Sequence, residues 1–186
     1  MAGALAEEAQ PTKLAELPLA AQKTILAQAA AGQLGEISKS TEDGEVIYEA
    51  EMTRQGKTRS FTVNGEGELL EVEVFLPETP RPVQKVIRER VGKGRLLHLS
   101  KSTAEGEVTY DVEMSKNERT RHFSLDQDGQ VIEFQVFLEE TPEAVRKAIE
   151  KELPTGRLGE SYQMIDDGEV SYDVEISQNG KQRHLS

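Results

Sequence analysis

Asp43–Met52 reads DGEVIYEAEM, Glu105–Met114 reads EGEVTYDVEM, and Asp167–Ile176 reads DGEVSYDVEI. The three copies stand 62 residues apart, as Gly44, Gly106 and Gly168 show. The same offset relates Pro18, Pro80 and Pro142, then Ile25, Ile87 and Ile149, then Tyr48, Tyr110 and Tyr172. It also relates FLPETP (Phe75 to Pro80) to FLEETP (Phe137 to Pro142) without a gap. A fixed period of this size marks a repeated supersecondary unit. Within each copy, apolar and polar residues alternate: Val108, Tyr110, Val112 and Met114 against Glu107, Thr109, Asp111 and Glu113. Alternation with period two is a strand with one dry face and one wet face.

Working outward, Thr79 and Pro80 read as an N-cap followed by Pro at the first helical position. Val83, Val86, Ile87 and Val91 follow at helical spacing, and Gly92 and Gly94 stop the helix. Pro142, Val145, Ala148, Ile149 and Leu153, ending at Pro154 and Gly156, repeat this pattern, as do Pro18, Ala21, Thr24, Ile25 and Ala29 before Gly32. After each helix come a weak strand, the central strand, a two-residue turn and a basic strand. The turns are Gln55-Gly56, Asn117-Glu118 and Asn179-Gly180, the last a strong hairpin signal. Pairing Gln178 with Lys181 places Val112 opposite Phe123, Tyr110 opposite Leu125, Glu113 opposite His122 and Glu175 opposite His184. A DQDG turn leads to a fourth strand with Ile132, Phe134, Val136 and Leu138 as its inner set.

The expected fold is therefore α+β, in tandem repeats, each one helix on a four-stranded antiparallel meander. Residues 1–16 read as an N-terminal tail, or as the small-residue end of a secretory signal. Repeats follow at 17–78, 79–140 and 141–186, the third truncated before its last strand. Its basic strand, Lys181 to Ser186, then has an open outer edge. Either the natural protein continues with a strand resembling DGQVIEFQVFL, or the edge self-associates with another molecule, or the end frays.

Composition excludes several functions. Of 186 residues, 22 are Lys or Arg and 34 are Asp or Glu, a net charge of −12. Such a chain is repelled by nucleic acid and by anionic membrane surfaces. There is no apolar run of membrane-spanning length and no cysteine. No Gly-x-Ser-x-Gly elbow and no phosphate loop occurs, so neither cofactor nor catalytic residue is expected. His122 and His184, each opposite a glutamate, read as solvated cross-strand ion pairs, with an acid–base pair or half a metal site as the sharper reading. Asp126, Asp128 and Gly129 have part of a calcium loop's pattern but lack its remaining ligands, and read as a tight turn. Phe75 and Phe137, on the wet parity of the last strand, either anchor a partner or cover the start of the next helix.

The proline-opened helix LPLAAQKTI, the stretch DGEVIYEAEM, the strand after Gly67 and their counterparts resemble the PepSY-like family, which includes β-lactamase-inhibitor-like proteins. The likeness spans about residues 17 to 186. It implies a non-catalytic, periplasmic or secreted protein-binding module, an inhibitor of a protease or other enzyme being one form. It implies an unknown protein partner, such as a secreted or envelope enzyme, and transfers no site residues. The other reading of the residues is a structural spacer of the cell envelope.

Overall fold

In the computed structural model, residues 7–30, 32–42, 44–104, 106–153, 156–166, 168–178 and 181–186 are described. Twelve strands form in chain order: β1 (Glu7–Pro11), β2 (Gln33–Glu42), β3 (Glu45–Arg54), β4 (Lys57–Asn64), β5 (Leu69–Glu73) and β6 (Arg95–Ala104), then β7 (Glu107–Lys116), β8 (Arg119–Asp126), β9 (Val131–Gln135), β10 (Arg157–Asp166), β11 (Glu169–Gln178) and β12 (Lys181–Leu185). Three helices intervene: α1 (Leu19–Ala29), α2 (Arg81–Val91) and α3 (Glu143–Glu152). The strands lie in one antiparallel sheet in the order of the chain. Separate four-stranded meanders, the architecture expected from the period, are thereby overturned. The last strand of one meander pairs with the first strand of the next: Glu71, Val72 and Glu73 face Ser102, Lys101 and Ser100. Glu133, Phe134 and Gln135 face Met164, Gln163 and Tyr162 in the same way. A meander ending in a free edge leaves backbone N–H and C=O groups unpaired, and the following strand satisfies them.

The tail is corrected too. Glu7–Pro11 pairs with β2, with Gln10 opposite Lys39 and Pro11 opposite Ser38. Thr12 N–H donates to the Ile37 carbonyl at 2.9 Å. Pro11 is tolerated because β1 is an edge strand, where a missing N–H costs no ladder bond. Residues 1–6, and with them the signal-like start, lie outside the described residues, as do Asp43, Glu105, Pro154, Asp167 and the Asn179-Gly180 turn.

Inside the hairpins the expected register holds. Val112 faces Phe123, Tyr110 faces Leu125 and Glu113 faces His122; Glu175 faces His184 and Gln178 faces Lys181. Alternation forces this, because a one-residue slip would turn every apolar side chain to water. The fourth strand departs from expectation. β9 ends at Gln135, which is itself buried, while Val136 lies just beyond the strand and Leu138 opens a single 3-10 turn. Helices α2 and α3 begin one residue later than expected, with proline as the cap residue. Gln84 Nε2 donates to the Thr79 carbonyl at 2.8 Å.

The chain divides into two compact units, Met1–Glu78 with Ser100–Val108, and Thr79–Leu99 with Thr109–Ser186. In the first, Ala21 and Ile25 of α1 bury against Tyr48, Ala50, Met52, Phe61 and Val63. In the second, Ile149 of α3 buries against Val174 and Ile176, with Val145, Leu153, Leu158 and Leu185 around them. Tyr48 and Tyr110 are both buried, but Tyr172 is only half-buried, so the three recurring tyrosines are not equivalent.

The period survives as local devices. Gly67, at φ +86°, lets the turn after β4 press on the first turn of α1, where a Cβ would lie 2.7 Å from the Ala20 carbonyl carbon. Thr24 Oγ1 donates to the Gly67 carbonyl at 2.6 Å. Gly129, at φ +81°, meets Pro82 of α2 in the same manner. We expect Gly67→Ala to cost more than about 2 kcal/mol, since the left-handed backbone alone costs about 1–2. Gly44→Ala shares the positive φ but has open space around it, and should cost visibly less in urea melts of the two variants.

Candidate functional site

Two surfaces carry organised polar chemistry. The first is the face of the sheet opposite the helices, in the unit that contains β8 to β12. Asp111 faces Ser124, Ser124 faces Glu133, and Glu133 faces Met164. Beside that row, Gln135 faces Tyr162, and Tyr162 faces Asp173. Hydrogen bonds stitch the rows together: Ser124 Oγ to Asp111 at 2.7 Å, Gln135 Nε2 to Glu160 at 3.3 Å, and Tyr162 Oη to Glu160 at 2.7 Å. Glu133 sits half-buried in the middle. Burial first, and then Asp111, Asp173 and Glu160, push its carboxyl above the ordinary 4.5, against a smaller opposing pull from His122. Burial and the Glu160 hydrogen bond likewise raise the Tyr162 phenol. Asp173 Oδ1 is buried with no hydrogen-bond partner among the described residues.

The histidines belong to this face, with one change of partner. His122 stands opposite Glu113, and its backbone N–H donates to Gln135 Oε1 at 3.1 Å. His184 stands opposite Glu175, but its Nδ1 turns to Asp173 Oδ2 at 3.2 Å, while Glu175 accepts from Gln182 Nε2 at 2.8 Å. The diagonal neighbour is within reach of a long side chain, and the exposed pair is a weak one. No group of three or more His, Asp or Glu is placed to hold a metal ion among the described residues. Asp126 Oδ1 accepts from the Asp128 and Gln130 N–H groups at 2.9 and 2.7 Å, so that carboxylate is engaged in its own turn.

The second surface surrounds the recurring phenylalanines. Phe75 lies past the end of β5, and Phe137 past the end of β9, so neither is on a strand. The Phe75 ring lies under Lys57 and Arg59, each 4.7 Å from its centroid. The Phe137 ring lies under Arg119 and Arg121, at 4.6 and 4.5 Å. Glu78 and Glu140 close each cluster by accepting the backbone N–H of Phe75 and Phe137 and by pairing with Arg59 and Arg121. Those arginine hydrogen bonds are the main cause that holds both carboxyls below the usual range. The two rings are thus packed under the basic strand rather than offered bare to solvent. This cation–aromatic–carboxylate cluster was missed from the sequence. Its signal was present in the spacing of Lys57, Arg59, Phe75 and Glu78, repeated 62 residues on as Arg119, Arg121, Phe137 and Glu140.

No protein-family model and no curated protein matches the chain. Solved structures do. A DUF2874 family protein from Bacteroides ovatus is similar at TM-score 0.46 and 14% identity, over 62% of this chain and 84% of that one. A candidate periplasmic protein from Bacteroides eggerthii gives 0.47 and 14%, over 62% and 86%. A candidate calcium-regulated periplasmic protein from Bacteroides thetaiotaomicron gives 0.41 and 17%, over 68% and 95%. The absence of any matching family model corrects the PepSY-like and β-lactamase-inhibitor-like assignment, and the Bacteroides ovatus structure carries the DUF2874 name instead. The motifs behind that assignment are turn glycines and alternating strand residues, which many antiparallel sheets require. Two of these structures are described as periplasmic proteins.

Because Glu133 holds its proton more tightly folded than unfolded, its ionised form works against folding. That penalty is fully present above its raised folded value and is lost as the pH falls through it. We expect Glu133→Gln to raise the melting temperature at neutral pH, with the gain gone below the ordinary carboxyl value of 4.5. Thermal melts of both proteins across that range would check it. Truncation of the aromatic, Phe137→Ala, should cost about 1–2 kcal/mol in urea melts through lost ring packing and two cation–ring contacts.

Proposed function

We propose that the chain is a non-catalytic, periplasmic protein-binding module. Its docking surface in this reading is the helix-free sheet face around Glu133, and its partner presents basic residues there. One observation carries the proposal: Glu133 is kept half-buried among Asp111, Asp173 and Glu160, an arrangement that opposes folding when ionised. Stability sacrificed on a surface is a common mark of function, since like charges crowded on one face are relieved by a partner of opposite sign. Inhibition is the special case in which that partner is an enzyme. A spacer of the cell envelope has no use for such a face.

The test is capture from a bacterial periplasmic extract with three baits. These are the unmodified chain, the face variant Glu133→Gln with Asp111→Asn, and a charge-matched control, Glu45→Gln with Glu66→Gln, whose sites are exposed and lie in the other unit. We expect the unmodified chain and the control to retain the same protein and the face variant to lose it. Identical capture by all three, or by none, would overturn the reading and favour the spacer.

A further inference from the structure

In a chain with a net charge of −12, one cleft is predominantly cationic. It opens between the C-terminal end of α2 and the β7–β8 hairpin, with a volume of about 570 Å³, in the range of small-ligand sites. Arg90, Lys116, Arg119 and Arg121 line it, against two carboxylates, Glu89 and Glu140. Arg119 and Arg121 are matched internally, by Glu139 and Glu140. Arg90 is not. Its guanidinium lies over the Phe134 ring at 4.6 Å and near Phe123 at 5.6 Å, and makes no ion pair or hydrogen bond among the described residues. Stacking on a ring leaves the five N–H donors of an arginine without acceptors. Half-burial raises the cost of that state, and desolvation accordingly pulls the Arg90 pKa down. Lys116 Nζ stands at the same place, held by the Arg90 carbonyl at 3.4 Å.

The chain contains its own comparison. Sixty-two residues beyond Arg90 the helix carries Glu152, and 62 beyond Arg121 the strand carries Arg183. There Arg183 Nη2 and Glu152 Oε2 meet at 2.7 Å, so a carboxylate at the helix end fits against the arginine of the basic strand. Sixty-two residues before Arg90 the helix carries Gln28, and Val72 stands for Phe134. Only the middle position combines a cation at the helix end, a cation on the strand and a ring beneath them.

We propose that this cleft binds an oxyanion-bearing small ligand, a carboxylate or a phosphate, with Arg90 and Lys116 as its charge partners and Phe134 as its floor. The ligand's anionic group supplies the acceptor that the Arg90 guanidinium lacks within the described residues. The site is separate from the acidic sheet face and does not depend on the function proposed for it.

The experiment is calorimetric titration of the full chain at low salt with inorganic phosphate and, separately, with citrate. We expect saturable binding of at least one, weakened as salt is raised. Phosphate alone would make the ligand a phosphate, citrate alone a carboxylate, and both an oxyanion site without that distinction. Arg90→Gln, which installs the residue found at position 28, should weaken binding at least ten-fold, with Lys57→Gln as a control that leaves it unchanged. Arg90→Glu should abolish binding while raising the melting temperature, by pairing with Arg121 as Glu152 pairs with Arg183. That rise separates loss of the site from loss of the fold. No saturable binding of either anion, or equal binding by Arg90→Gln, would overturn the proposal.

Discussion

Lateral backbone pairing at the seams of the meanders sustains the rest of the structure. β5 against β6, and β9 against β10, are short contacts of three residue pairs each, yet they extend the ladder from one meander into the next. A helix on four strands of this size buries a small core and leaves two strand edges open to water. Joining the edges satisfies their N–H and C=O groups and spares each small core from standing alone. β1 repeats the logic at the start of the sheet, where a five-residue strand with a terminal proline covers β2 and accepts no further partner as readily.

Continuity of the sheet also makes the acidic face. Within one meander, Asp111 on β7 and Glu133 on β9 would be acids separated by Ser124 of β8, tolerable in water. Pairing of β9 with β10 brings Glu160 and Tyr162 beside Gln135, and pairing of β10 with β11 adds Asp173. Each acid then raises the cost of the others, and Glu133, the most enclosed, shows it. On the helix side, charge is arranged differently. Basic side chains of β4 and β8 lie over phenylalanine rings and meet carboxylates of the following 3-10 turn. The ring supplies area and the carboxylate fixes the geometry, so two modest interactions act as one clasp.

Arg90 interrupts that second pattern. Arg59 and Arg121 find Glu78 and Glu140, and Arg183 finds Glu152, whereas the Arg90 guanidinium stacks on aromatic rings without an ion pair among the described residues. The cleft beside it is one place where the internal pairing of charges is left incomplete among the described residues.

Alternation in DGEVIYEAEM and its copies determined the hairpins and their register, because a period of two permits only one face to be dry. Gly67 and Gly129 were fixed by sequence as well, since a turn with φ near +85° pressed on a helix admits no side chain. Lateral joining was not legible. A 62-residue period describes what recurs within each copy and is silent about which edges meet, for edge pairing is made by backbone groups that every residue shares. His184 turning from Glu175 to Asp173, Phe137 lying under two arginines, and Glu133 crowded by acids from other strands all depend on distances between segments far apart in the chain. Those distances exist only once the sheet has closed its seams, which is why the tertiary structure alone decided them.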